Sequence, residues 1–366
     1  MFVTLDDVCE KGSSNLAQKD ILDLDGDFPI FGAAGYIGNV NFYHQEKPYL
    51  AVVKDGAGVG RVMLLPAKSS VIGTMQYIIP KEGIIVEYLY YAVKAMHLEK
   101  YYMGAAIPHI YFKDYKKEKL MLCSKIKQEQ IVARLDIIEK IINQHKQQLK
   151  NLEKFTKARF IEVFGDMLLN SKSWREIRLD SVADIVSGIT KGRKIKSAEL
   201  YEVPYMAVSN VKNGYIDWTK VKTIMATKEE IKRYKLLPND VLMTEGGDPD
   251  KLGRGAIIKC PPNNCIHQNH IFRVRLNEEL LPIYFEYYLQ QIKAKRYFLK
   301  CSKQTTGIAS INMKQLLALP VLIPDMESQK TFAKFTEQAD KSKAVIEKSL
   351  KELETLQASL MQKYFS

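Results

Sequence analysis

Cysteine is scarce and odd in number, five among 366 residues. A sparse, unpaired set makes no disulfide framework and fits a reducing compartment, so free thiols and a cytoplasmic location are expected. No apolar run approaches the roughly 20 residues that a membrane-spanning helix requires. The opening MFVTLDDVCEKG lacks the basic and apolar regions of a secretory signal, and no membrane association is expected. Acidic residues are in deficit, 42 Asp and Glu against 54 Lys and Arg, which leaves a formal net charge of +12. That surplus favours a polyanionic partner. Signature loops of nucleotide chemistry are missing too. Without a Walker A sequence or a paired-carboxylate metal site, neither ATPase nor nuclease activity is expected of this chain. DGAGVG at Asp55–Gly60 has the wrong spacing for G-x-G-x-x-G, and the RVMLLP that follows reads as a strand instead of a phosphate-holding helix. It is expected to be a hairpin turn.

What the chain does have is a second copy of itself. At a constant shift of 332 − 131 = 201, Ile131 matches Phe332, Leu149 matches Leu350, Leu152 matches Leu353 and Phe164 matches Phe365, with Gln128 and Gln329 upstream. The front ends correspond at a shorter shift, VTLDDVCE from Val3 beside IRLDSVAD from Ile177. Between them each copy runs through a Pro-containing strand (FPIFGAAG, VPYMAVSN) and a Gly-rich turn. A polar-to-apolar strand (GTMQYIIP, IHQNHIFRV) and an aromatic helix (VEYLYYAVKAM, PIYFEYYLQQI) follow. Parts that recur in one order mark an internal duplication. The expected fold is α+β, two tandem mixed α/β domains, each followed by one long helix. The boundaries read as a first domain at 1–124, its helix at 125–167, a second domain at 168–324 and its helix at 325–366.

In the first helix Ile131, Leu135, Ile138, Ile142, His145, Leu149 and Leu152 step alternately by four and three, a seam sustained over three heptads. The second carries Phe332, Ala339, Ile346, Leu350 and Leu353 at matching steps, interrupted by Thr336 and Lys343. Each seam needs a partner. The first helix ends where the second domain starts, so a second helix packed along it returns towards the first domain. An antiparallel coiled coil with pseudo-two-fold symmetry is expected. A helix of about 37 residues spans about 55 Å, which would hold the domains on the order of 50 Å apart. His145 is expected to be a polar seam residue that helps set register.

The ordered set of motifs resembles the specificity (S) subunit of type I restriction-modification enzymes. The resemblance rests on the endings ARFIEVFGD and ASLMQKYF, the opening LDSVADIVSGIT, and the segments NDVLMTEGGD, IHQNHIFRV and TTGIASINMKQLLALPVLIPDMESQ. The first copy departs from the family pattern, with LMLCSKIKQEQ in place of a Pro-rich lead-in, which leaves the start of its helix less defined. The resemblance implies target recognition domains that each read one half of a split double-stranded DNA site, with the helices as spacer. It also implies a chain with no catalysis or cofactor of its own. Its partners would be two modification subunits that use S-adenosylmethionine to methylate adenine N6, and restriction/translocase subunits that use ATP and Mg²⁺. CPPN at Cys260–Asn263 lacks the acid and the aromatic ring with which an adenine methyltransferase holds a flipped base. Domains about 50 Å apart would span roughly fifteen base pairs, and the unlike loops of the two copies imply an asymmetric site. The alternative, from another class, is a structural coiled-coil adaptor whose globular ends bind proteins.

Base readout needs Arg or Lys for guanine and Asn or Gln for adenine, on loops that reach the groove. In the second copy the candidates are Thr190, Lys191, Arg193 and Lys194 of GITKGRK, Glu245 and Arg254 in the Gly-rich turn, Gln268 and Asn269 of HQNH, and Lys303, Gln304, Thr305 and Thr306 of KQTTG. In the first they are Lys54, Asp55 and Arg61, then Gln76 and Tyr77 as the counterparts of HQNH, then His109 and Lys113. Cys260, Cys265, His267 and His270 are set more tightly than zinc-finger ligands and have no first-copy equivalent. No metal is expected there, and CPPNNC reads as a hairpin turn.

Overall fold

The computed structural model describes residues 1–21, 25–104, 108–194, 199–248, 252–305 and 308–365. The first unit's strands are β1 (Phe2–Thr4), β2 (Cys9–Ser13), β3 (Phe28–Gly32), β4 (Gly35–Val40), β5 (Tyr49–Val53), β6 (Val62–Leu65), β7 (Ser70–Val71), β8 (Met75–Pro80) and β9 (Lys119–Met121). Helix α1 (Val86–Ala95) precedes β9 and the long α2 (Lys125–Phe164) follows it. Three sheets result, ordered β2-β8-β5-β6, β4-β3-β7 and β1-β9. The β3–β7 pairing is parallel.

The second unit repeats this plan. Its strands are β10 (Arg175–Arg178), β11 (Ala183–Ser187), β12 (Tyr201–Met206), β13 (Lys222–Ala226), β14 (Val241–Thr244), β15 (Gly246–Gly247), β16 (Gly255–Ile257), β17 (Ile266–His267), β18 (Ile271–Leu276), β19 (Lys303–Thr305), β20 (Ile308–Ser310) and β21 (Pro320–Ile323). The helices are α3 (Lys228–Tyr234), α4 (Pro282–Leu289), α5 (Ile292–Cys301) and the long α6 (Met326–Phe365). The sheets β11-β18-β14-β16, β13-β12-β17 and β10-β21 match those of the first unit, and β12–β17 is again parallel. Among the described residues the sheet β15-β20-β19 has no first-unit counterpart. The turn at CPPNNC joins β16 to β17, which lie in different sheets, so it is a crossover and not the expected hairpin.

Central strands explain the apolar runs. All five residues of β5 are buried, as a strand covered on both faces requires. Its Leu50 and Val52 pack with Tyr88 and Leu89 of α1, while Tyr49, Ala51 and Val53 pack with Val71 and Tyr77 on the other face. DGAGVG is a hairpin turn between β5 and β6, with Gly60 N–H donating to Val53 O. At Gly60 φ is +87°, and a Cβ there would meet the Glu99 backbone nitrogen at 2.5 Å, so only glycine fits.

The compact bodies do not follow the linear domain-then-helix boundaries. One comprises 1–148 with 346–366, the other 149–345, so each takes one half of each long helix. Within the first, Arg134 Nη1 donates to Tyr364 Oη at 3.1 Å and His145 Nε2 lies 3.1 Å from Ser349 Oγ. Residue numbers rise along one helix as they fall along the other, so the segments are antiparallel. Within the second, Phe155 meets Phe335 and Phe160 meets Phe332, each with ring centroids 5.3 Å apart. Ile131, Leu135, Ile138, Ile142, Phe332 and Ala339 are buried. His145, Leu149, Leu152, Ile346, Leu350 and Leu353 are half-buried. Phe155, beyond the seam, is 58% exposed. No helix among the described residues is long and apolar enough to cross a membrane.

One device occurs twice. Gln128, 1% exposed, accepts from Ile85 N–H at 2.9 Å and donates to Gly83 O and Cys123 O. Gln329, 0% exposed, accepts from Leu281 N–H at 2.8 Å and donates to Glu279 O and Pro324 O. Each glutamine ties the first turn of a long helix to the N-terminus of the aromatic helix in its own unit.

Candidate nucleic-acid interface

In the first unit the candidate residues converge through backbone bonds. Ile110 N–H donates to Lys54 O, Gly56 N–H to Pro108 O, and Asp55 bridges His109, so the Gly-rich turn and the 108–113 segment form one edge. Lys54 and Asp55 are half-buried side by side, 3.9 Å apart. Exposed Arg61 donates to Ala33 O at 3.1 Å, which adds the β3–β4 hairpin tip to the edge. The His109 ring meets Tyr111 at 5.0 Å, and exposed Lys113 lies 5.1 Å from the centre of the same tyrosine. Cation and aromatic together suit phosphate and base contacts.

Gln76 and Tyr77 do not belong to this edge. They are 6% and 1% exposed. Gln76 donates to Gly12 O and Tyr77 O, while Tyr77 Oη accepts from Val71 N–H at 3.0 Å. The reason is register. β8 and β18 are related by 271 − 75 = 196, so the counterparts of Gln268 and Asn269 are Ile72 and Gly73, and Gln76 and Tyr77, four residues further on, are the second and third residues of the central strand β8.

In the second unit Ile189 bridges Gln268 in parallel, which sets exposed Thr190, Lys191 and Lys194 beside HQNH. Gly188 permits the approach, since a Cβ there would lie 2.0 Å from His267 O. Gln268 Oε1 accepts from Val208 N–H at 3.3 Å, and Asn269 Nδ2 lies 3.3 Å from His270 Nε2. Glu245 pairs with His270 Nδ1 at 2.6 Å and its carbonyl accepts from Ile311 N–H, drawing in the extra sheet with Lys303, Gln304 and Thr305 on β19. Thr306 lies outside the described residues. Arg254 is half-buried, and its buried Nε has no hydrogen-bond partner among the described residues. His267 is buried, and burial pushes its imidazole down to about 4, so it stays neutral. Cys260 is exposed and Cys265 is buried. Among the described residues no three His, Cys, Asp or Glu side chains converge as metal ligands.

Arg193 has another task. Its Nε meets Glu230 Oε1 at 2.5 Å, its Nη2 meets Oε2 and Met225 O, and Glu230 also closes the capping box of α3 on Thr227 N–H. The guanidinium beside it holds the Glu230 carboxyl below its usual range. Held through Nε and Nη2 in this way, Arg193 braces the Thr190–Lys194 loop against Glu230 and Met225. Glu230→Ala is therefore expected to weaken DNA retention as much as Arg193→Ala in a filter-binding assay. A loss confined to Arg193→Ala would make it a direct contact instead. The depressed carboxyl contributes its stabilisation above its unfolded pKa and loses it as pH falls through the folded value, so acid opens this clasp.

Residues 1–154 and 171–355 match the family described as type I restriction modification DNA specificity domain. The chain belongs to this family. The specificity-domain chain is 26% identical over 197 residues to the putative type I restriction enzyme MjaX specificity subunit of Methanocaldococcus jannaschii, covering 53% of the chain and 46% of that protein. It is also 26% identical over 168 residues to the type I restriction enzyme EcoKI specificity subunit of Escherichia coli strain K12, covering 44% and 36%. The chain thus spans less than half the length of each of these two relatives. The crystal structure of the type I restriction-modification S subunit from M. genitalium superposes with a TM-score of 0.63 at 16% identity, covering 100% of this chain and 96% of that one. A chain from a structure of complex assembly and conformational transition of the type I R-M system gives 0.55 at 14% identity, covering 100% and 97%. At these identities the likeness is one of fold.

Sequence reasoning missed His270 and Tyr111 on these edges. His270 stands in the HQNH motif itself, and its exposure beside Glu245 follows from the strand register, which the motif alone does not reveal.

Proposed function

We propose that this chain is the non-catalytic DNA-recognition subunit of a type I restriction-modification complex. Its two units would each read one half of a bipartite, asymmetric double-stranded site. The observation that carries this reading is the contrast between repeated topology and unrepeated edges. Where the first unit offers Arg61, His109 and Lys113, the second offers Lys191, Lys194, Gln268, Asn269 and a sheet of its own. One scaffold with two unlike polar edges suits two different words. The long helices would dock two adenine-N6 modification subunits, and restriction/translocase subunits would join them. S-adenosylmethionine, ATP and Mg²⁺ belong to those partners in this reading.

The test is to express the chain with its modification subunits and map methylated adenines in host DNA. One discontinuous motif with a modified adenine in each half, on opposite strands, is expected. Replacing Lys191 and Lys194 together by Ala should weaken binding and reduce the slope of log affinity against log salt by about two. Methylation at no defined site would remove the reading.

A further inference from the structure

The second unit encloses a cavity of about 570 Å³ between α4, the loop at Tyr215–Trp218 and the segments of the two long helices that belong to this unit. Its floor holds Glu286, 7% exposed, beside Ile257 and Thr336. Glu286 Oε1 accepts from Ile257 N–H at 2.7 Å, and Oε2 has no hydrogen-bond partner among the described residues. Tyr287 forms a wall, and exposed Tyr215 and Trp218 stand at the rim. The rim lysine Lys259 is taken up by Asp340 at 2.7 Å.

The equivalent groove of the first unit shows what such a place accepts. The 196-residue shift puts Tyr90 at the position of Glu286 and Lys94 at that of Gln290, and the 201-residue shift puts Glu139 at that of Asp340. There the Lys94 ammonium lies 2.8 Å from Glu139 Oε1, 3.2 Å from Tyr90 Oη and 5.1 Å from the centre of the Tyr90 ring, while Tyr91 Oη donates to Glu139 at 2.9 Å. The first unit carries its own cation between acid and aromatic rings. The second keeps the acid as Asp340, held by Lys259, has buried Glu286 in place of Tyr90, keeps the neighbouring tyrosine as Tyr287 and has Gln290 in place of Lys94.

We infer that the second-unit cavity binds an organic cation, a primary ammonium or guanidinium group, against the free oxygen of Glu286, beside the Asp340 carboxylate that Lys259 holds. The cation faces a buried carboxylate oxygen and aromatic rings, the two groups that attract it most strongly when water is excluded. Lys259 and Asp340 act on the Glu286 carboxyl, and Lys343 on α6 and Glu153 and Lys157 on α2 line the same cavity. Burial pushes its carboxyl up to about 7. Pairing with a cation requires the ionised form, so affinity rises with pH through that value. The cation has two possible carriers, a free amine or a lysine or arginine side chain of a partner subunit.

The full chain is titrated with Nα-acetyl-lysine N-methylamide and with the arginine analogue, and Trp218 fluorescence is followed. Saturable binding that strengthens from pH 6 to pH 8 is expected. Glu286→Gln keeps an oxygen for Ile257 N–H but no charge, and should weaken binding by about tenfold, the size of one charge-assisted hydrogen bond. Gln290→Lys restores the internal cation and should exclude the probe while the thermal transition is retained. No saturable binding, or equal binding by Glu286→Gln, would overturn the inference. Loss of the probe site when modification subunits are added identifies a protein-borne cation, and persistence of the site identifies a free amine.

Discussion

Gln329→Leu is expected to lower the stability of the second unit by about 2 to 4 kcal/mol, and Gln128→Leu that of the first by a similar amount. Leucine fills nearly the same volume, so little of the loss comes from packing. The loss comes from backbone groups left without partners, each worth about 1 to 3 kcal/mol when water cannot reach it. Leu281 N–H and Pro324 O lose their bonds in one variant, Ile85 N–H and Cys123 O in the other. The remaining acceptors, Glu279 O and Gly83 O, sit on exposed residues and can turn to water. Differential scanning calorimetry should show the affected transition falling by about 5 to 15 °C. A change under about 1 kcal/mol in both variants would mean that these glutamines are not clamps.

Phe164→Ala is expected to cost about 3 to 5 kcal/mol, and Phe365→Ala an amount at the lower end of that range. Phe164, 0% exposed, packs against Phe160, Tyr284 and Phe332 with ring centroids 4.8, 4.7 and 5.4 Å away. Phe365, 4% exposed, has one described ring partner, Tyr88 at 5.2 Å. Tyr88 and Tyr284 are themselves equivalent, each donating to a carbonyl, Met121 O and Leu322 O. The informative outcome is which transition moves. Phe164 closes the helix that follows the first globular domain, yet its ring belongs to the core of the second unit. Phe365 closes the helix that follows the second, yet it belongs to the core of the first. Monitored by proteolysis with fragment mapping, Phe164→Ala should expose 149–345 first and Phe365→Ala should expose 1–148 first. The reverse pattern would contradict this division.

Much of the scaffold was legible because its causes are local and repeated. Heptad steps from Ile131 to Leu152 specify a helix with one apolar face, and a continuous apolar run such as YLAVV specifies a strand covered on both sides. The candidate edges were legible only in part. The Gly-rich turn, GITKGRK and HQNH do lie on loops that converge, since turn residues end strands wherever they occur. Gln76 and Tyr77 were misplaced because HQNH was matched to the wrong part of GTMQYIIP, and the four residues that separate a loop from a strand interior separate an exposed side chain from a buried one.

The sequence by itself determined that the chain is duplicated, that each copy is a mixed α/β unit, and that two amphipathic helices must find partners. Only the tertiary structure decided that each compact unit takes half of each helix, and that Arg193 is held by a carboxylate 37 residues away. It alone showed that Glu139 is paired with Lys94, 45 residues distant, whereas its counterpart Asp340 is paired with Lys259. The reason is physical. Periodicity and turn chemistry act between neighbours along the chain, whereas the partner of a charge is chosen by proximity in space.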